Sequence, residues 1–333
     1  MATVLACSGF AAICGSTAAT AATMGKIALP EMKKYNYDDR LATGTVAAAG
    51  TLGILIPPSG MFIVYGILTQ QSIGKLFMAG ILPGILLSLF FVLTVFVICR
   101  RNPALGPPGA PTGVKEKLGV LTGLVDTVVL FALVIGGLFL GWFSPTQAGA
   151  IGAAGALLIG LARRELSWRG FFEATRDGLR TACMVLFIVT GAIIFGRFMA
   201  VSQLTFVLTE WVEGLPLPAM AVMGIIILIY FIGGFFMDAL ALVVLTIPTF
   251  YPVVLALGFD PIWFGVIIVL VAEMGVITPP VGVNVFVIKG IAPDIPIESI
   301  FKGIIPFLVA LLVCAILLLA FPQIATFLPN LVY

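Results

Sequence analysis

The 333-residue chain is 61% hydrophobic and 10% charged, with a net charge of +2 and a mean hydropathy of +1.21. Soluble domains carry about 25% charged residues, so the composition predicts an all-α polytopic protein in a lipid bilayer and gives no sign of nucleic-acid binding. There is no His, which excludes His-based catalysis, His-containing zinc sites and a simple imidazole proton relay.

Segment 1–32 is rich in Ala, Gly, Ser and Thr, with Gly15-Ser16-Thr17 near its middle. Small residues let helices approach closely in lipid. Two readings stand: two short helices meeting at the Gly-Ser-Thr tip as a re-entrant hairpin, or one spanning helix with a small-residue face. Residues 2–14 have no positive flank, so they do not read as a cleavable signal peptide. They are also too short to cross alone, since a crossing takes about 20 residues. A polar stretch, 33–40, follows. Residues 41–70 are predicted to cross with a break at Ile56-Pro57-Pro58, because Pro-Pro removes two donors and drives the preceding residue out of the helical region.

Residues 72–82 read as a short interfacial helix ending at Pro83, and 84–99 as a crossing. A Pro-rich polar loop spans 100–117. Crossings follow at 119–141 and 145–162. Segment 163–180 is an amphipathic arm, with Trp168, Phe171 and Phe172 set against Arg169, Glu173, Arg176, Asp177 and Arg180. Residues 181–199 cross, and 209–218 form a polar link. A second hairpin is predicted over 219–250, centred on Gly233-Gly234 and Asp238. The second broken crossing is 261–288, followed by an arm at 295–303 and a last crossing at 305–328. The five cysteines (Cys7, Cys14, Cys99, Cys183, Cys314) are scattered without a CxxC pair and read as small buried hydrophobes.

The two breaks are copies. Gly53, Pro57, Pro58 and Gly60 recur as Gly275, Pro279, Pro280 and Gly282 at one constant offset. Tyr37-Asp38 recurs as Phe259-Asp260, and Gly80 and Pro83 as Gly303 and Pro306. Loops 33–40, 100–117 and 163–180 hold three, four and five Lys or Arg, and 289–302 holds two more. The crossings place all four on one side, the cytoplasmic side by the positive-inside rule. Five crossings separate the starts of the two broken helices, so the second copy is inverted. Paired interrupted helices in an inverted-topology repeat point to a transporter's binding site.

A broken helix frees carbonyls from its first half and amides from its second. Carbonyls suit a small hard cation such as Na⁺, and amide ends suit a carboxylate. Near the breaks lie Ser16, Thr17, Thr20, Ser59, Thr278 and Asn284. Intramembrane acids carry function by default. Asp238 reads as part of a cation site or as the cap of the helix after it. Glu273 reads as a structural hydrogen-bonding group or a coupling group, its copy-one counterpart being Thr51. Asp126 sits near the inner end of its crossing. Thr20 is the residue here for which back-bonding to its own helix is an equal alternative. No catalytic motif surrounds either acid, so the chain does not read as an enzyme.

These residues carry a resemblance. GSTAATAATMGKIALPEM, GTLGILIPPSGMFIVYGILTQQSIGKLFMAGILPG, FMDALALVVLTIP and GVITPPVGVNVFVIKGIA, in that order, resemble the large membrane subunit of tripartite ATP-independent periplasmic (TRAP) transporters. The resemblance covers essentially the whole chain. It implies a Na⁺-coupled, elevator-type permease of the bacterial cytoplasmic membrane. Such a permease imports a carboxylate-bearing solute (a C4-dicarboxylate, sialic acid or similar) delivered by a periplasmic solute-binding protein, beside a small four-helix membrane subunit. The alternative is a stand-alone ion-coupled carboxylate symporter of the same plan.

By the resemblance, Ser16, Thr17 and the carbonyls from Gly53 to Pro57 hold one Na⁺. Gly234, Asp238, Thr278 and the carbonyls from Gly275 to Pro279 hold the other. Substrate lies among Ser16, Thr17, Thr20, Ser59 and Asn284. Residues 1–70 and 219–290 form the transport domain, and 71–218 and 291–333 the arms and scaffold. Family members carry further helices before the first hairpin. Because Met1 already lies in that hairpin, a truncated chain, a misassigned start or helices supplied by another chain is expected.

Overall fold

The computed structural model describes residues 1–107 and 125–332, and every regular element among them is helical. Part of the expected Pro-rich loop at 100–117 and the start of the expected crossing at 119–141 lie outside the described residues. Two compact units form: Met1–Pro108 with Ala192–Tyr333, and Gly109–Gly191. The first unit unites both hairpins and both broken helices with the helices that carry Pro83 and Pro306.

In the larger unit, α1 (Ala2–Cys14) and α2 (Thr17–Lys34) settle the first segment as two helices. Gly15 ends α1 at φ 63°, a left-handed conformation in which a Cβ would be strained, and Ser16 caps α2 through Ala19 N–H at 3.4 Å. The two helices fold back on each other, with Thr3 Oγ1 reaching Met32 Sδ at 3.8 Å.

The first broken helix comprises α3 (Asp39–Leu55) and α4 (Gly60–Thr69), parted at Ile56, Pro57 and Pro58. Asp38 opens α3 by accepting from Arg40 N–H at 2.9 Å and Leu41 N–H at 3.3 Å. Every residue from Leu41 to Leu55 is buried. Five of those residues are Ala, Gly or Thr in the run Ala47–Thr51, so neighbouring helices approach α3 on all sides.

Helix α5 (Ile73–Arg101) runs straight through Pro83. The arm and the crossing expected there are one helix, because a single proline removes one hydrogen bond while the apolar faces on either side still pack. The same correction applies later in the chain. The expected arm at 163–180 and crossing at 181–199 are one helix, α8 (Trp168–Val201), which begins in the smaller unit. That unit also holds α6 (Val125–Phe139) and α7 (Pro145–Ala162). Their ends are tied by Arg163 Nε donating to Asp126 Oδ2 at 2.6 Å, so Asp126 does sit at a helix end.

In the larger unit, which resumes at Ala192, α9 (Leu204–Glu213) overlaps the expected polar link. The second hairpin is α10 (Ala219–Gly233) and α11 (Ala239–Ala256). The second broken helix is α12 (Pro261–Ile277) and α13 (Val283–Ile291). All residues of α12 from Ile262 to Ile277 are buried. Helix α14 (Ile297–Ala320) passes through Pro306 as α5 passes through Pro83. It stops before Pro322, and α15 (Gln323–Val332) follows, so the expected last crossing divides in two.

Six helical stretches among the described residues are long and apolar enough to cross a membrane: Asp39–Thr69, Ile73–Arg101, Pro145–Ala162, Trp168–Val201, Ala239–Ala256 and Ile297–Ala320.

Candidate functional site

Each hairpin tip lies against the break of its own broken helix. In the first copy, a Cβ on Gly53 would fall 2.6 Å from the Ser16 carbonyl oxygen and 2.9 Å from Thr20 Oγ1. A Cβ on Gly15 would meet the Pro58 carbonyl oxygen at 2.8 Å. In the second copy, Gly275 and Gly234 are in backbone contact. Gly53 and Gly275, the first shared glycine of each break, are therefore required by close approach, since any side chain there would overlap the tip.

The prolines decide which carbonyls lose their helical donors. Pro57 cannot donate to Gly53, and Pro58 cannot donate to Ile54. Ser59 repairs the second loss: its hydroxyl donates to the Ile54 carbonyl at 2.5 Å while accepting from Phe62 N–H at 3.4 Å to cap α4. At the other break Thr278 does the repair. Its N–H donates to the Gly275 carbonyl at 3.0 Å, and its hydroxyl donates to the Met274 carbonyl.

The second halves of the broken helices cross over. Asn284, on α13, donates through Nδ2 to the Ala47 carbonyl of α3 at 3.2 Å. Conversely, α4 is tied to α11, with Gln71 Nε2 donating to Tyr251 Oη at 2.9 Å just past the end of α4. Tyr65 of α4 donates to the Pro261 carbonyl at the start of α12 at 2.6 Å. The two copies therefore interlock, each lending its second half to the other's first half or hairpin.

Buried polar atoms without partners mark where a ligand's atoms would be welcome, because leaving them unpaired costs about 1–3 kcal/mol each. Among the described residues these are Thr20 Oγ1, Asn284 Oδ1 and both carboxylate oxygens of Glu273. Thr20 does not bond back to its own helix.

The structure thus brings Ser16, Thr20 and Gly53 together, with Thr17 buried in the same tip and Pro57 and Ser59 buried in the break beneath. It brings Gly234 to Gly275, with Thr278 adjoining. Pro279 is exposed, and so is Asp238, whose Oδ2 accepts from Leu240 N–H at 3.0 Å and caps α11. No hydrogen bond joins Asp238 to the second break. Beside that break a cavity of about 290 Å³ is lined by Thr278, Pro279, Glu298, Phe301, Lys302 and Leu308. The Tyr65, Gln71 and Tyr251 ties and the Ala47 carbonyl were not legible beforehand, because they join residues far apart in sequence.

Comparison with known proteins agrees with this architecture. Residues 1–324 match the family described as the DctM component of the tripartite ATP-independent periplasmic transporter. The chain is similar to the C4-dicarboxylate TRAP transporter large permease protein DctM of Pseudomonas aeruginosa, 33% identical over 99% of this chain and 77% of that one. It is similar to the isethionate TRAP transporter permease protein DctMQ of Oleidesulfovibrio alaskensis, 36% identical over 96% of this chain and 50% of that protein. It is also similar to the sialic acid TRAP transporter large permease protein SiaM of Vibrio cholerae, 32% identical over 97% of this chain and 75% of that one. The chain thus spans about half the length of the isethionate relative and about three quarters of the other two.

Proposed function

The chain belongs to the DctM-component family of tripartite ATP-independent periplasmic transporters, a multi-pass membrane permease family, and from that membership we propose what it carries and how. It is the permease of a Na⁺-coupled secondary transporter in the bacterial cytoplasmic membrane. Its cargo is a small organic acid, delivered by a periplasmic solute-binding protein, and a small membrane subunit stands beside it. The relatives are named for C4-dicarboxylate, sialic acid and isethionate. The last is a sulfonate, so the shared feature of the three cargoes is an anionic head group.

The observation that carries this reading is the pairing of each hairpin tip with a helix break, Ser16 and Thr20 on Gly53 and Gly234 on Gly275. Such a junction gathers carbonyls, hydroxyls and amide ends in one small volume, with Asp238 the one carboxylate read into the second. Oxygen donors of that kind match Na⁺, and the amide end of a second half matches an anion. In the first junction the donors are the Gly53 carbonyl, Ser16 and Thr17. In the second they are Gly234, Thr278, the Gly275–Pro279 carbonyls and Asp238. Thr20, Ser59 and Asn284 face the cargo.

Moving the interlocked hairpins and breaks as one body past a fixed scaffold would carry the site across, an elevator motion. The test is uptake of a radiolabelled C4-dicarboxylate or sialic acid into proteoliposomes, with binding protein and small subunit, under an imposed Na⁺ gradient. Uptake that persists when only the Na⁺ gradient is collapsed would overturn Na⁺ coupling. Uptake without any binding protein would favour a stand-alone symporter.

A further inference from the structure

Asn284 is fully buried at the start of α13, and its carboxamide is only half used. Nδ2 donates to the Ala47 carbonyl at 3.2 Å. A flipped amide would set oxygen against oxygen there, so this bond fixes which atom is left over. That atom is Oδ1, which is buried and has no partner. It can only accept, so whatever satisfies it must bring a donor.

The oxygen belongs to the open end of a helix. Helix α13 runs for nine residues from Val283, and its N-cap, Gly282, offers no side chain to the first turn. Val285 N–H and Phe286 N–H turn back to the Gly282 carbonyl at 2.8 and 3.2 Å. Among the described residues no acceptor meets the N–H of Val283 or of Asn284. Side chains on a helix lean toward its N-terminus, so the carboxamide of the second residue lies at this end. Yet Oδ1 takes neither N–H, and the end stays uncapped.

The first copy closes the same end from within. Ser59 accepts from Phe62 N–H at 3.4 Å and caps α4. Phe62, which stands at the position of Asn284, is apolar and buried. In the second copy Val281 holds the place of Ser59, so the cap is lost where a polar side chain appears. An uncapped helix start and an unsatisfied acceptor are thus set together in one copy and not in the other.

The two call for different halves of one ligand. Free amides at a helix start attract an anionic head group. A bare acceptor oxygen repels that same head group unless a donor stands between them. We infer that the cargo's acidic head takes the N–H groups of Val283 and Asn284, while a hydroxyl or amino group on a nearby carbon of the cargo donates to Asn284 Oδ1. The chain therefore selects a hydroxy or amino acid over the same acid without that donor, and Asn284 decides the choice. This rests on the anionic-cargo reading above and narrows it.

The experiment uses the purified full chain in NaCl and reads the acid concentration that gives half the maximal rise in thermal unfolding temperature. Three pairs of acids differ by one hydroxyl: lactate and propionate, malate and succinate, isethionate and ethanesulfonate. In each pair that binds, the hydroxylated member is expected to act at about tenfold lower concentration, because its partner leaves a buried acceptor unpaired. Asn284→Leu keeps a similar volume and loses Oδ1, so both members of a pair should then act at similar concentrations.

Equal concentrations within every pair for the wild type would overturn the inference and leave the anionic-cargo reading standing. A folded Asn284→Leu chain that keeps the wild-type preference is equally adverse. If Asn284→Leu does not fold, the wild-type ratios decide alone. A wild-type chain stabilised by none of the six acids would overturn the anionic-cargo reading together with this one.

Discussion

A Cβ placed on Gly275 would lie 2.4 Å from the Cα of Gly234, so the second hairpin's tip and the second broken helix touch through backbone alone. The first copy reaches the same contact differently, a Cβ on Gly53 falling 2.6 Å from the Ser16 carbonyl oxygen. In both cases one glycine on the broken helix sets how deeply the tip can seat, and the depth of seating decides whether tip and break share one site.

Gly275→Ala should therefore unseat the tip. The overlap with backbone cannot be relieved by a side-chain rotation, and overpacking of this kind costs about 1–3 kcal/mol. A lower thermal unfolding midpoint and loss of uptake in proteoliposomes are expected together. Gly224→Ala in the same hairpin, where a Cβ meets nothing within 4 Å, is the control and should leave both unchanged.

Replacing Pro57 and Pro58 jointly by Ala, or Pro279 and Pro280 likewise, restores the missing donors. Helical hydrogen bonds then claim the carbonyls of Gly53 and Val276. Membrane insertion should be retained and Na⁺-dependent uptake lost. Wild-type uptake by both double variants would contradict a role for the breaks.

Asp238 separates two roles cleanly. Asn caps a helix about as well as Asp, so Asp238→Asn should keep the bond from Leu240 N–H and the unfolding temperature. The negative charge goes, and the Na⁺ dependence of uptake is expected to weaken. An unaltered Na⁺ response would reduce Asp238 to the cap that its 3.0 Å bond already makes it.

Thr20→Val removes a buried hydroxyl that has no partner. Deleting an unpaired polar group recovers its desolvation penalty, about 1–3 kcal/mol. The variant should unfold at the same or a higher temperature than the wild type and yet take up less substrate. A variant that is less stable and fully active would show the hydroxyl to be structural.

Trp263→Phe tests the frame. Trp263 Nε1–H donates to the Leu318 carbonyl of α14 at 2.8 Å in the buried interior. Its loss leaves that carbonyl unpaired and a gap beside it, at about 1–3 kcal/mol. A lower unfolding midpoint with unchanged Na⁺ half-saturation is the expected result.

The sequence by itself left the first segment open between a hairpin and one spanning helix, while it determined the breaks and the copy relation between the halves. These follow from local chemistry: Pro-Pro lacks two donors wherever it stands, Gly15 supplies a left-handed turn, and Ser16, Asp38, Ser59, Asp238 and Asp260 cap the helices that follow them. The boundaries expected at Pro83 and between residues 303 and 305 do not exist, because proline's local cost at Pro83 and Pro306 is outweighed when a long apolar face packs on both sides. Only the tertiary structure decided which side chains are left wanting. Thr51 and Thr20 are both buried threonines, yet one bonds its own helix and the other bonds nothing, and Asn284 finds Ala47 at a distant point in the chain. Whether a polar atom is satisfied depends on neighbours brought by folding, and no local pattern encodes that.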